Sequence, residues 1–136
     1  MQSATEEKPV SKTMLWTGRI LSALPALFLL VSGINLSLVQ SPAVRESFAK
    51  FGYPDTLIAP IGIVEAICAI VYLIPRTSVF GAILLTGYLG GATATHVRMK
   101  DPTLIAPVVI GVLLWIGLYL RDERLRALVP LRRPKP

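Results

Sequence analysis

Residues 57–74 read LIAPIGIVEAICAIVYLI, and Glu65 is the one charged residue among them. A run of about 20 mostly apolar residues is long enough to cross the hydrocarbon core of a bilayer as a helix. Glu65 lies near the middle of the run and would therefore lie about half-way across the membrane. Ionisable side chains are costly at that depth and usually face a protein interior, a partner or a water-filled cavity. Glu65 is therefore the first candidate for a functional residue.

Three further apolar runs accompany this segment in a chain of 136 residues that is 53% hydrophobic and 16% charged. Only helices satisfy the backbone of an isolated segment in lipid, and the alternating pattern of a small β-barrel is missing. The prediction is an all-α integral membrane protein with a four-transmembrane-helix bundle as its one domain. The predicted spans are about 14–39, 57–74, 79–97 and 103–120, between a flexible N-terminal tail (1–13) and a basic C-terminal tail (121–136).

The loop between the first two spans is expected to hold a short amphipathic helix at residues 43–51. Apolar side chains recur there at helical spacing, and charged ones lie between them. Ser41 and Pro42 suit the N-cap and first helical position, and Gly52 suits a C-terminal stop. Two roles fit equally: the helix grips the membrane surface, or it packs over the bundle as a lid.

The formal net charge is +6, from 14 Lys+Arg against 8 Asp+Glu. No known nucleic-acid-binding motif accompanies the charge, so we expect contact with lipid headgroups and no nucleic acid. Basic residues near span ends mark the cytoplasmic side, which predicts cytoplasmic termini in the inner (plasma) membrane. Ten lie on the terminal side (Lys8, Lys12, Arg19, Arg76, Arg121, Arg124, Arg126, Arg132, Arg133, Lys135) and four on the other (Arg45, Lys50, Arg98, Lys100).

Cysteine and histidine each occur once, as Cys68 and His96. One cysteine forms no intrachain disulfide, and one histidine does not make a metal site, so we predict no bound metal. Residues 1–13 are polar and include Glu6 and Glu7. We therefore expect no cleavable signal peptide and a first span that stays in the mature protein.

Helical rise indicates which polar groups share a depth. Reflecting Glu65 through the turn near Arg76 brings it level with Tyr88, whereas His96 lies about 12 Å further along the next span at 1.5 Å per residue. A Glu65–Tyr88 contact is therefore expected, and a direct Glu65–His96 pair is not. Asn35, in the first span, is expected to hydrogen-bond another helix, and the candidate intramembrane pocket is Glu65, Tyr88 and Asn35.

The outer end of the third span forms a second polar group. Thr95, His96 and Arg98 are the candidates there for an outer-rim cluster. The cluster fits either a site for an anionic or quinone-like headgroup or the wetted end of a helix. The same span carries Gly87 and Gly91 four residues apart. That spacing predicts close packing against another span, and the alternative is a face that leaves room for a ligand.

Several short motifs follow in a fixed order along the chain. They are SG at 32–33, GIVE at 62–65, LIPRT at 73–77, LLTGYLGGA at 84–92 and THVR at 95–98. Together they resemble the DoxX-like family of small four-helix prokaryotic membrane proteins. The resemblance covers most of the chain apart from the tails.

The resemblance carries expectations about residues and partners. It aligns Glu65 with a recurrent acid of the second span, and Thr95, His96 and Arg98 with a Thr-His-x-Arg motif. Many relatives carry a lysine after the Ser-Gly pair where this chain has Asn35 nearby, which removes the basis for a Glu–Lys pair. Relatives include a subunit of a thiosulfate:quinone oxidoreductase and members of membrane redox or stress-defence assemblies.

Three hypotheses of function remain open from the sequence. The first is an accessory, non-enzymatic protein whose intramembrane pocket binds a lipophilic small molecule, with quinone as a candidate cofactor, or supports a partner oxidoreductase. The second is an enzyme subunit, a quinone-linked oxidoreductase. The third is a small proton-coupled transporter, for which four spans would need a homo-oligomer.

Overall fold

The computed structural model describes residues 11–129, and every regular element in that range is helical. Single 3-10 turns at Asp55–Leu57, Pro75–Thr77 and Pro102–Leu104 lead into the third, fourth and fifth helices. Most of the predicted N-terminal tail and the end of the predicted C-terminal tail lie outside the described residues. The helices are α1 (Lys12–Leu38), α2 (Pro42–Lys50), α3 (Ile58–Leu73), α4 (Ser78–Arg98), α5 (Ile105–Arg121) and α6 (Glu123–Leu128).

Four helical segments are long and apolar enough to cross a membrane. Their outward side chains are apolar too: Leu24 is 65% exposed and Ile105 64%. Exposed apolar surface on this scale is rare on a water-soluble protein, and it suits contact with lipid tails. The predicted fold class, a four-helix membrane bundle, is confirmed. The four segments are Lys12–Leu38, Asp55–Leu73, Pro75–Arg98 and Pro102–Arg121.

The four spans form a ring. α1 packs against α3 and α5, and α4 packs against the same two helices, so α1 and α4 lie opposite each other. Two close helix contacts use glycines of α1. A Cβ added at Gly62 of α3 would lie 2.7 Å from the Gly33 carbonyl oxygen, and one added at Gly18 would lie 2.7 Å from that of Gly117 in α5. These pairs let helix backbones touch, as small residues do in membrane bundles.

The glycines of α4 behave differently from the prediction. A Cβ added at Gly87, Gly90 or Gly91 would meet no described atom within 4 Å. The predicted packing of this face against another span is therefore wrong. The reason is helical phase: α4 directs Leu85 and Leu89 into the core, and Gly87 lies about 200° from Leu85 at 100° per residue.

Both short helices have regular caps. Ser41 caps α2 by accepting a hydrogen bond from the Val44 N–H at 3.4 Å, and Gly52 ends the segment with φ +83°. This is the helix expected at residues 43–51, and Ser41, Pro42 and Gly52 have their predicted roles. Part of the predicted C-terminal tail is α6, whose N-cap Asp122 accepts from the Arg124 N–H at 2.9 Å.

Candidate functional site

Side chains of three spans meet at the middle of the bundle. Glu65 of α3 is 3% exposed. The Tyr88 hydroxyl of α4 donates a hydrogen bond to Glu65 Oε2 at 3.0 Å. Ser32 of α1 lies near the same carboxyl group. The contact predicted from helical rise is therefore present, and its use as a binding pocket remains a prediction.

The phase of α3 explains why Glu65 is inside the bundle. Cys68, Ala69 and Tyr72 follow it by three, four and seven residues, and all are buried. Residues at these spacings share one face of a helix. Glu65 thus lies on the core face of α3, where the Tyr88 hydroxyl takes the place of water. A mid-membrane carboxyl is tolerable when a partner satisfies it in this way.

Asn35 does not belong to this group. Its side chain is exposed and its Nδ2 donates to the Val31 carbonyl of its own helix at 2.9 Å. The predicted bond to another helix is therefore absent, and Asn35 drops out of the candidate pocket. The reason is the rotation of the helix: Gly33 faces α3, and at 100° per residue Asn35 lies about 200° away from Gly33 around α1, on the outward face.

The outer-rim residues connect α4 to the segment that follows α2. The hydroxyls of Thr95 and Tyr53 share a hydrogen bond at 2.9 Å. Arg98 Nη2 donates to the Phe51 carbonyl at 2.6 Å. The Phe51 ring meets the His96 ring edge-on with centroids 4.7 Å apart. These contacts favour the lid hypothesis for α2, because they hold its C-terminal end against the bundle.

His96 is also tied to the loop between α4 and α5. Its Nδ1 lies 3.2 Å from the Thr103 hydroxyl and 3.4 Å from Asp101 Oδ2. Asp101 accepts from the Thr103 N–H at 2.9 Å and from its hydroxyl at 2.7 Å. These bonds, with His96 beside them, hold the pKa of Asp101 below its ordinary value. The loop therefore fixes the orientation of the imidazole.

A third polar group, near the terminal end of the bundle, escaped the sequence analysis. Tyr72 is fully buried and donates to the Leu114 carbonyl at 2.6 Å. Arg121 Nη2 donates to the Ser78 hydroxyl at 3.3 Å, and the guanidinium lies 5.7 Å from the centre of the Tyr72 ring. The available signal was Tyr72 itself, two helical turns from Glu65 on the same face. The charge pattern alone gives Arg121 a role in topology only.

Within residues 11–129, no three His, Cys, Asp or Glu side chains are placed to hold a metal ion. A family model, that of the DoxX-like family, matches residues 20–117, more than half of the chain. The chain belongs to the DoxX-like family. The DoxX-like region contains Glu65, Tyr88 and the whole outer-rim cluster. No curated protein and no solved structure matches the chain significantly.

Proposed function

We propose that this DoxX-like protein is an accessory membrane protein that holds a lipophilic small molecule, with quinones as one candidate class, or supports a partner oxidoreductase. The Glu65–Tyr88 pair is the observation that carries the proposal. A bundle that needed only stability would be served by apolar packing, because buried polar groups are costly unless satisfied. The pair places a donor and acceptors at a depth that lipophilic molecules reach.

The exposed face of α4 supports access from the membrane. Gly87 and Gly91 flank Tyr88 in sequence and have open space where a side chain would lie. A ligand lying against this face meets bare backbone next to the phenol. Ligand sites are mostly apolar with a few placed polar groups, and this combination is present here.

An apolar groove continues from the same face. It encloses about 390 Å³ between α4 and α5, and Gly90 and Gly111 are among its lining residues. Its polar element is a hydrogen bond of 2.8 Å from Trp115 Nε1 to the Thr86 hydroxyl. An isoprenoid or acyl tail fits such a groove.

Mass analysis of small molecules extracted with the purified protein tests the proposal. Wild-type protein is expected to retain a lipophilic compound in stoichiometric amount. Glu65→Gln and Tyr88→Phe are expected to lose most of it, because each alters the polar anchor with little change of volume. A quinone in the extract would favour the quinone-linked role over other lipophilic ligands.

Tyr119→Phe is the matched control, because Tyr119 is an exposed tyrosine of α5 outside this cluster. It should keep the compound. Unchanged recovery in Glu65→Gln and Tyr88→Phe, together with a lower melting temperature, would show that the pair merely locks α3 to α4. That result would remove the proposed binding role.

A further inference from the structure

A second cavity, of about 640 Å³, opens at the loop end of the bundle, away from the Glu65–Tyr88 pair. Its walls come from the last turn of α2, the end of α4 and the loop into α5. The volume lies within the range of about 300–1,000 Å³ that is typical of small-molecule sites. His96 lies eight residues beyond Tyr88 on α4, about 12 Å at 1.5 Å per residue. The cavity is therefore separate from the proposed intramembrane pocket.

The acidic group of the cavity is already satisfied. Asp101 accepts two hydrogen bonds from Thr103, at 2.9 Å and 2.7 Å, and lies 3.4 Å from His96 Nδ1. Its carboxylate thus serves the loop and positions the imidazole. Asp101 only accepts, and the Thr103 hydroxyl donates to Asp101, so the Nδ1–H of His96 donates on this side of the ring. Nε2 is the nitrogen left for a ligand, and it donates to an oxyanion when the ring is protonated.

The basic side chains around the cavity still have charge and N–H donors available for a ligand. Lys50 lines it from the end of α2, and no ion pair joins Lys50 to another residue of the described range. Arg98 donates one side-chain hydrogen bond within the described residues, to the Phe51 carbonyl. A guanidinium has five N–H donors. The net charge of the side chains at this rim is therefore positive.

The remaining walls are apolar. Phe51 lines the cavity and packs edge-on against His96, and Met99, which also lines it, is 45% exposed. The cavity lies at the ends of two candidate spans, so we expect it to lie near the lipid headgroups in a bilayer. A group with an anionic head and an apolar body matches this combination.

We infer that this cavity binds a phosphate-type oxyanion, with Lys50 as the charge partner and the His96 ring, positioned by Asp101, as the second polar contact. The oxyanion has two sources: the headgroup of an anionic phospholipid, or free phosphate from the aqueous side. The inference does not depend on the function proposed for Glu65.

The test compares protein in nanodiscs of phosphatidylcholine with and without phosphatidylglycerol, and titrates inorganic phosphate separately. Bound lipid is counted by native mass spectrometry, and affinity is measured for wild type and Lys50→Gln. Lys50→Gln is expected to weaken binding about tenfold, as expected for the loss of a charged contact. Arg45→Gln is the matched control, because it removes the same charge from an exposed site on α2 that does not line the cavity.

The outcomes separate the sources and the alternatives. Retention of phosphatidylglycerol alone assigns the site to a lipid, and saturable binding of inorganic phosphate assigns it to a free anion. Equal weakening in Lys50→Gln and Arg45→Gln would overturn the site in favour of general surface charge, as would no binding of either probe. Glu65→Gln should leave this binding unchanged, so failure of the proposed function is distinguishable from failure here.

Discussion

Glu65 differs from the other charged residues of the described range in being buried within a span. Its partner Tyr88 comes from the neighbouring helix, and the hydroxyl lies 3.0 Å from the carboxyl oxygen. Asp101 shows the opposite arrangement, at the loop end, with hydrogen bonds from a residue two positions away. One acid therefore joins two helices, and the other shapes a loop.

Tyr88→Phe should destabilise the bundle by about 1 kcal/mol, the scale of hydrogen bonds measured in membrane proteins. Glu65→Gln should cost less, because the amide oxygen still accepts from Tyr88. Reversible unfolding in detergent measures both. Equal losses in the two variants would contradict this assignment of donor and acceptor.

Asp101→Asn should lower the melting temperature at neutral pH. The hydrogen bonds from Thr103, with His96 beside them, keep the folded-state pKa of Asp101 below its ordinary 3.8. A lowered pKa means that the ionised form stabilises the fold above 3.8 and that this stabilisation is lost as the pH falls through the lower folded-state value. Melting curves of wild type and variant should therefore converge in acid. A difference in melting temperature between wild type and variant that does not change with pH would contradict this link between Asp101 ionisation and stability.

At the scale of elements, glycines divide into two groups. A Cβ added at Gly18 or Gly62 would lie 2.7 Å from a carbonyl oxygen of the facing helix, whereas one added at Gly87, Gly90 or Gly91 of α4 would meet open space. Sequence spacing treats both groups alike. The structure separates them by which face of the helix each occupies.

Gly62→Ala should destabilise the bundle by about 1–3 kcal/mol, the usual cost of overpacking. Its Cβ would lie 2.7 Å from the Gly33 carbonyl oxygen, and neither backbone yields easily. Gly90→Ala should leave stability unchanged or raise it, because alanine favours a helix and nothing lies in its way. Melting temperatures of the two variants give the comparison, and a larger loss in Gly90→Ala would contradict the packing described here.

α2 is held by contacts at its C-terminal end, and Arg98 supplies the shortest of them. Arg98→Gln should release the Phe51 carbonyl and loosen the segment at residues 51–53. Amide hydrogen exchange of α2 should rise, while that of the spans stays unchanged. Lys100→Gln, which removes a neighbouring charge, is the control and should leave exchange as in wild type.

At the scale of the whole molecule, the ring of four spans brings both described ends of the chain to one side of the membrane. Arg126 of α6 and Met14 of α1 are in contact there, with Nη1 3.3 Å from the sulfur. The basic residues counted from the sequence concentrate at this end. Charge bias and geometry therefore agree that the two ends share a side.

Reporters fused to the two termini should give the same signal, and the excess of Lys and Arg predicts the cytoplasmic side. Activity of a cytoplasm-specific reporter at both ends checks this. A C-terminal reporter active in the periplasm would contradict the orientation.

Hydrophobic length determined the four spans, because lipid leaves the backbone no alternative to helices. Amphipathic spacing, with Ser41, Pro42 and Gly52 at its ends, determined α2, and the order of the short motifs indicated the family. Helical rise also placed Tyr88 level with Glu65, since rise depends on residue count alone. Rise does not fix the rotation of each helix in the bundle. Only the tertiary structure decided that Asn35 faces outward, that Gly87, Gly90 and Gly91 lie open, and that His96 and Lys50 line one cavity. Those facts depend on side-chain packing between helices.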